Sequence, residues 1–394
     1  MFPEGPIETP TGRSVPIHDG YWAFVPRALP PEIEYTPALA ALLAAASGGL
    51  AALAATADAL PGARLLAAPY VRIEAVSSSR IEGTRTSLGE LLRAEADSSA
   101  GEPTDDAREV LNCVQATDWG LRNADRLGLS VRLIQALHGI LVRGVRGAVR
   151  SPGQFRRDQV HIGPPAGIAF ASYIPPPPGE VPGLMAGIAE SLREPPRAMP
   201  PLIEAALMHW QFEDIHPFED GNGRIGRLLI TLLLCARGVL PGPLLCLSPF
   251  IEAHRRDYYD GLLAVSRDGD VEGWLAFFLA AVVAQAGVAT QTLRAAAQLR
   301  NELRERLRAE SRSPNLLVLL DLLLGNPFVT APRAAEMMGV SGQTVRNLLD
   351  TLLALGVVEQ FGERRRNRIY YAPRLLRMLE QAAGPPDRID TRYP

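Results

Sequence analysis

His216-Pro-Phe-Glu-Asp-Gly-Asn-Gly-Arg-Ile-Gly-Arg227 brings a base, a carboxylate, a glycine-rich turn and two arginines into one short run. Glycines let a backbone close on a ligand, and their amides can cradle phosphate oxygens. Directly after the run the chain turns apolar (Leu228, Leu229, Ile230, Leu232, Leu233, Leu234), so the turn opens a helix. A helix N-terminus favours anions through its orphan amides and macrodipole. Arg224 and Arg227 are three apart and share a helix face, so both forks are expected to aim at one polyphosphate. Asp220 suits a hard cation such as Mg²⁺, which takes one or two carboxylates plus substrate phosphates. His216, just before the turn, would take a proton from an incoming hydroxyl. A purely structural turn has no need of all these groups at once.

The run matches, at every fixed position, the His-Pro-Phe-x-(Asp/Glu)-Gly-Asn-Gly-Arg-x-x-Arg signature, and on it the chain resembles the Fic family. Most characterised Fic proteins transfer AMP from ATP to a protein hydroxyl. Upstream, Pro152-Gly-Gln-Phe-Arg156 and Gln159-Val-His-Ile-Gly163 resemble the start of the family's substrate-positioning flap, and Ile174-Pro-Pro-Pro-Pro178 the segment that closes it. Ser248-Pro-Phe to Asp257-Tyr-Tyr-Asp260, then Asp268-Gly-Asp270 and Trp274, are similar to its closing helices, so the likeness runs over roughly residues 20–285. It implies a mainly α fold, a helical core with a β-hairpin flap. It also implies ATP as substrate, Mg²⁺, and protein targets bearing hydroxyl side chains. By the same resemblance His216 is catalytic, and Gly221, Asn222, Gly223, Arg224, Ile225, Gly226 and Arg227 hold ATP. Asn222 would donate to a phosphate oxygen, Asp220 would hold the metal, and Phe218 would anchor the loop. Ile162 and Gly163 of the flap, with Tyr258 and Tyr259 downstream, would complete the nucleotide pocket. His161 stands where many relatives carry tryptophan. A kinase-like branch has lysine where this chain has Gly223, so the intact Gly-Asn-Gly favours AMP transfer over phosphoryl transfer.

Ser78-Ser-Arg-Ile-Glu82-Gly83 matches the family's inhibitory motif, on a helix ahead of the core. The resemblance implies that Glu82 pairs with Arg227, the residue expected to hold the γ-phosphate, while Ser78 steadies the helix and Gly83 ends it.

Composition frames these motifs. A chain of 394 residues, 47% apolar with net charge −3, has ample core and is no strong polyanion binder. Cys113, Cys235 and Cys246 show no metal or redox spacing and read as buried thiols of a reducing cytoplasm. Glu4 and Glu8 with no apolar signal core point away from secretion. Pro37–Ala57 is uncharged and about long enough to span a bilayer. Its alanine content, the Ser47-Gly48-Gly49 interruption and leucines at helix-face spacing favour a soluble helix instead, so no membrane partner is expected. His138 and His209, each on an apolar helix face, read as packed histidines rather than ligands. Residues 149–182, rich in Pro and Gly with short apolar runs, suit a β-hairpin whose edge pairs with an incoming peptide.

Four segments are expected: an N-terminal helical domain with the inhibitory helix (1–100), the catalytic core (101–285), a linker helix (286–312) and a C-terminal unit (313–394). In the last, helix, turn and helix followed by a basic hairpin resemble a winged helix-turn-helix, with a tail after about residue 377. Arg364, Arg365, Arg366 and Arg368 on the wing suit DNA phosphates. Arg346 is the lone strong cation on the reading helix, so pairing of two copies into a homodimer, or domain packing, stays open beside DNA. The alternative for the whole chain is a nucleotide-sensing, DNA-binding regulator.

Overall fold

The computed structural model describes residues 2–3, 5–97, 102–145, 151–164, 166–193, 199–310, 313–363 and 367–384. The first segment departs from the helical expectation. Strands β1 (Glu8–Thr9), β2 (Gly12–Pro16) and β3 (Trp22–Pro26) form an antiparallel sheet in that order, with Ser14 opposite Phe24. Alternating small and apolar residues on both sides of the Asp19-Gly20 turn, where both residues have positive φ, favour a hairpin over a helix.

Helices then dominate. α1 (Pro37–Ala59) starts on the Thr36 cap with proline at its first position. α2 (Ala67–Ile81) ends at Glu82, and α3 (Leu88–Ala96) opens with a complete Ser87/Glu90 capping box. α4 (Asp105–Leu127) and α5 (Val131–Leu141) start on Thr104 and Ser130 caps. There follow α6 (Val181–Arg193), α7 (Pro201–Ile215), α8 (Asn222–Ala236), α9 (Ser248–Ala253), α10 (Arg255–Asp268) and α11 (Val271–Glu310). α7 and α8 pack side by side in the middle, so the turn between them is held on both flanks. A Cβ at Gly120 of α4 would lie 2.9 Å from Leu232, which is why these helices approach so closely.

α11 runs unbroken through residue 285, so the expected linker helix is its second half. α1 lies along it, burying Leu39, Leu50 and Leu53. By length and apolarity alone both α1 and α11 are sufficient to cross a membrane. α11 is largely buried, whereas α1 turns an alanine-rich face outward.

The C-terminal unit comprises α12 (Pro314–Gly325), β4 (Phe328–Thr330), α13 (Ala331–Met338), α14 (Gly342–Ala354), β5 (Glu359–Phe361), β6 (Ile369–Tyr371) and α15 (Pro373–Ala382). Gly339 in the left-handed region ends α13, and Ser341 caps α14. The three strands form an antiparallel sheet in the order β4-β6-β5. Arg364, Arg365 and Arg366 lie outside the described residues. The expected tail is instead helical as far as Ala382, because Leu375, Leu379 and Ala382 recur on one face and bury it. One continuous apolar cluster runs from Leu39 to Ala382.

Candidate active site

α7 ends where His216 takes a left-handed conformation (φ 48°) and returns its N–H to the Phe212 carbonyl. A non-glycine residue holds that conformation only when its surroundings fix it. Two anchors do so here. Arg156, 3% exposed, donates to the carbonyls of His216 (2.8 Å), Ile215 (3.3 Å) and Pro176 (2.5 Å), tying the catalytic turn to the flap. Phe218 is fully buried, stacked on His138 at 3.8 Å between ring centroids. His138 accepts from Gly153 N–H through Nδ1 and donates from Nε2 to the Asp220 carbonyl. Both nitrogens are used, so it is a packed, neutral histidine, with burial taking its pKa down to about 4.

The Asn222 amide grips the loop itself. Its Oδ1 accepts from Phe218 N–H and its Nδ2 donates to the Phe218 carbonyl, both at 2.9 Å. This buried amide holds the turn's shape. The Ile225 side chain is in the core and its N–H bonds to the Gly221 carbonyl. Gly226 serves packing, since a Cβ there would fall 2.3 Å from Glu213 Oε1 and 3.1 Å from the His209 ring.

The two arginines are held by different acids. Arg224 donates to Glu109 on α4 (2.7 Å), with Asp220 3.6 Å away. Arg227, 2% exposed, donates to the Ser78 hydroxyl (2.9 Å), the Ser78 carbonyl (3.0 Å) and Glu82 Oε1 (2.6 Å). Burial pushes the Glu82 carboxyl up, but the Arg227 guanidinium outweighs it and holds the group below its ordinary value. Gly83 follows at φ 105°, a turn that glycine accepts readily. Gly223 sits under this pair: a Cβ there would lie 2.3 Å from Glu82 Oε1 and 2.9 Å from Arg227 Nη1.

A cleft of about 470 Å³ opens beside these groups, with Glu82, Ile162, His216, Gly223, Arg227, Tyr258 and Tyr259 on its wall. Ile162 reaches it through the flap, which closes on a single antiparallel bridge to Tyr173. Gly163 (φ 143°) is not on the wall; it packs against the Ser172 backbone and shapes the flap turn. Tyr258 is buried, its hydroxyl 2.8 Å from His209 Nε2, while Tyr259 is partly exposed with Arg255 over its ring. His209 therefore packs behind the site. Asp220 is exposed and accepts from the Gly221 N–H at 2.7 Å. Among the described residues no cluster of three metal-binding side chains occurs. The fit is thus to a cation held by one carboxylate and by phosphates.

Burial, reinforced by Arg156, lowers the His216 pKa to about 4, so the imidazole is the free base at neutral pH. Its Nδ1 lies 3.4 Å from the Glu213 carbonyl, which leaves Nε2 to receive a proton.

The sequence reading missed Glu109, Arg156's bonding role, and the acids Glu213 and Asp214. Burial raises Glu213 to about 8 and Asp214 to about 7. Asp214 accepts a 2.5 Å bond from Ser266. Their signal was visible as acids inside the otherwise apolar run of α7.

Two family patterns match the chain in succession: Fic/DOC family N-terminal over residues 40–122 and Fic/DOC family over residues 128–234. The second match takes in the whole His216–Arg227 run. It is 37% identical over 126 residues to protein adenylyltransferase Fic of Culex quinquefasciatus, covering 32% of this chain and 22% of that protein. With the Drosophila willistoni protein of the same name it shares 31% over 181 residues, covering 45% and 32%. The chain thus spans a third or less of the length of these curated relatives. In fold it is similar to a Fic family protein from Desulfovibrio desulfuricans G20, with a TM-score of 0.55 at 24% identity over 87% of this chain and 98% of that one.

Proposed function

We propose that this chain is a protein adenylyltransferase, transferring AMP from ATP to Ser, Thr or Tyr hydroxyls of target proteins and of itself, with Glu82 as its brake. The observation that carries the reading is the pairing of a neutral His216 with a buried Arg227 held by Glu82, across one glycine turn. ATP would lie with its phosphates over the α8 N-terminus, held by backbone N–H groups, Arg224 and Arg227. Mg²⁺, held by Asp220, would supply charge neutralisation on the phosphates. His216 Nε2 takes the proton of the target hydroxyl. The hydroxyl oxygen bonds to the α-phosphorus as the bond to the β-phosphate oxygen breaks, and pyrophosphate leaves with that electron pair. The flap, fixed by Arg156, presents main-chain groups to the target strand. In the braked state Glu82 occupies the guanidinium that the γ-phosphate needs, so ATP binds out of line for attack.

The test is intact mass after incubation with ATP and Mg²⁺. Added AMP on Glu82→Gly, and none on Glu82→Gly/His216→Ala, supports the reading; label that survives loss of His216 refutes it.

A second function rests on α14, where Gln343, Arg346 and Asn347 are exposed on one face. These side-chain types read base edges, and Arg364, Arg365, Arg366 and Arg368 would take phosphates. Loss of DNA binding in Arg364→Ala/Arg365→Ala/Arg366→Ala, with a flatter salt dependence, tests this function.

A further inference from the structure

Glu82 stands at a junction between two separately anchored helices. α2, before it, is fixed to the catalytic body. Ile73, Val76, Ser77, Ser79 and Ile81 are fully buried, and the Glu74 carboxylate accepts from both the N–H (3.1 Å) and the hydroxyl (2.5 Å) of Ser248 at the start of α9. α3, six residues after Glu82, packs on α2 and α4 and is seated on the C-terminal unit as well.

That seat is specific. The Ala96 carbonyl, one of those a helix end leaves without an intrahelical partner, accepts from the Thr330 hydroxyl at 3.1 Å. The Leu92 carbonyl accepts from Asn326 Nδ2 at 2.9 Å. Asn326 is itself fixed, its Oδ1 accepting from the Phe328 N–H at 2.9 Å. The Arg93 guanidinium lies 5.1 Å over the Phe361 ring on β5, and α15 packs on both α2 and α3. At the far end of α3, Arg72 of α2 grips both oxygens of Glu95 at 3.1 and 3.0 Å. Between the two helices Glu82, Gly83 and Arg85 are exposed while Thr86 is buried, with Arg85 N–H bonded to Asp106.

We infer that the C-terminal unit is a clamp on this turn: by seating α3 it holds Glu82 against Arg227, and loosening the seat releases the brake. This rests on the reading of Glu82 as inhibitory. A helix whose terminal carbonyls are bonded to another unit cannot move without breaking those bonds, and Glu82 needs to move by little more than one hydrogen-bond length to free the guanidinium. The coupling is reciprocal by linkage, so nucleotide that displaces Glu82 also loosens the seat. Whatever engages the open face of α14 thereby acts on a catalytic site it never touches.

Full-length Asn326→Ala/Thr330→Ala and, separately, Arg93→Ala are compared with the unaltered chain for self-modification by intact mass, each also in a Glu82→Gly background. Breaking two bonds of this kind is expected to raise the rate about fivefold in the braked chain and leave the Glu82→Gly rate unchanged. A rise of equal size in both backgrounds overturns the clamp, because the effect then bypasses the brake. Unchanged rates in variants that melt cooperatively also overturn it. Hydrogen exchange gives an independent readout: by the same linkage Glu82→Gly should speed exchange in α3 and β4, and exchange unaltered from that of the parent counts against the coupling. If Glu82→Gly is itself no faster than the parent, the brake reading fails; if it is faster while the seat variants are silent, the clamp alone fails.

Discussion

Replacing Glu82 with glycine removes one contact whose worth follows from its geometry. Oε1 lies 2.6 Å from Arg227 Nη2, the guanidinium side chain is 2% exposed and the carboxylate side chain 33%. Hydrogen bonds involving charged groups contribute about 1.5–3 kcal/mol. With a third of the carboxylate open to water, the lower part of that range applies, about 1.5–2 kcal/mol. At about 1.4 kcal/mol per tenfold, the freed site should turn over about 10- to 30-fold faster. On the proposed mechanism the gain belongs in turnover, because ATP would bind in both states and only its triphosphate alignment would differ. Glu82→Gln separates charge from shape: it keeps the side-chain length and the turn, and should recover only part of the gain. The assay is self-modification followed by intact mass across a range of ATP concentrations, with Glu82→Gly/Arg227→Ala as control. Equal rates for parent and Glu82→Gly at every ATP concentration, or a gain that persists without Arg227, would refute the reasoning.

His216→Ala in the Glu82→Gly background should lower transfer about 10²- to 10⁴-fold while ATP still binds; isothermal titration beside the mass assay checks both halves. Because burial takes His216 to about 4, the released enzyme should keep its rate from pH 8 down to about 5.5 and lose it only as pH falls through the folded pKa; an acid limb at the ordinary imidazole value would contradict the site's electrostatics. Asn222→Ala leaves the buried N–H and carbonyl of Phe218 without partners, at a cost of about 1–3 kcal/mol for each group, so the thermal midpoint should fall even in chains already inactive through His216→Ala. Asp214 is raised from 3.8 to about 7, so the fold favours its neutral form. Its contribution is full below the unfolded value and is lost as pH rises through about 7. The midpoint of the parent should therefore drop more between pH 5 and 8 than that of Asp214→Asn.

The catalytic turn was legible because its groups are contiguous: the glycines, His216 and the arginines each declare their chemistry within one run. The apolar periodicity after Gly223 placed α8 by the same local logic. What escaped depends on partners far along the chain. Nothing near Asn222 announces that its amide closes on Phe218, since a phosphate and a backbone peptide ask the same of a carboxamide. Arg224 and Arg227 share a helix face by spacing, yet Glu109 and Ser78, more than a hundred residues upstream, draw them to different places. The N-terminal sheet was hidden because its strands are short and punctuated by prolines. α15 was missed because it is brief and lies next to a polar tail.

Gly223 links two properties that look unrelated. A side chain there would meet Glu82 first: its Cβ would lie 2.3 Å from Oε1, so the carboxylate would have to swing aside to admit it. A lysine at that position would therefore act against the Glu82–Arg227 pair. An exchange of this one glycine would thus be felt by the acid and by the phosphate site together.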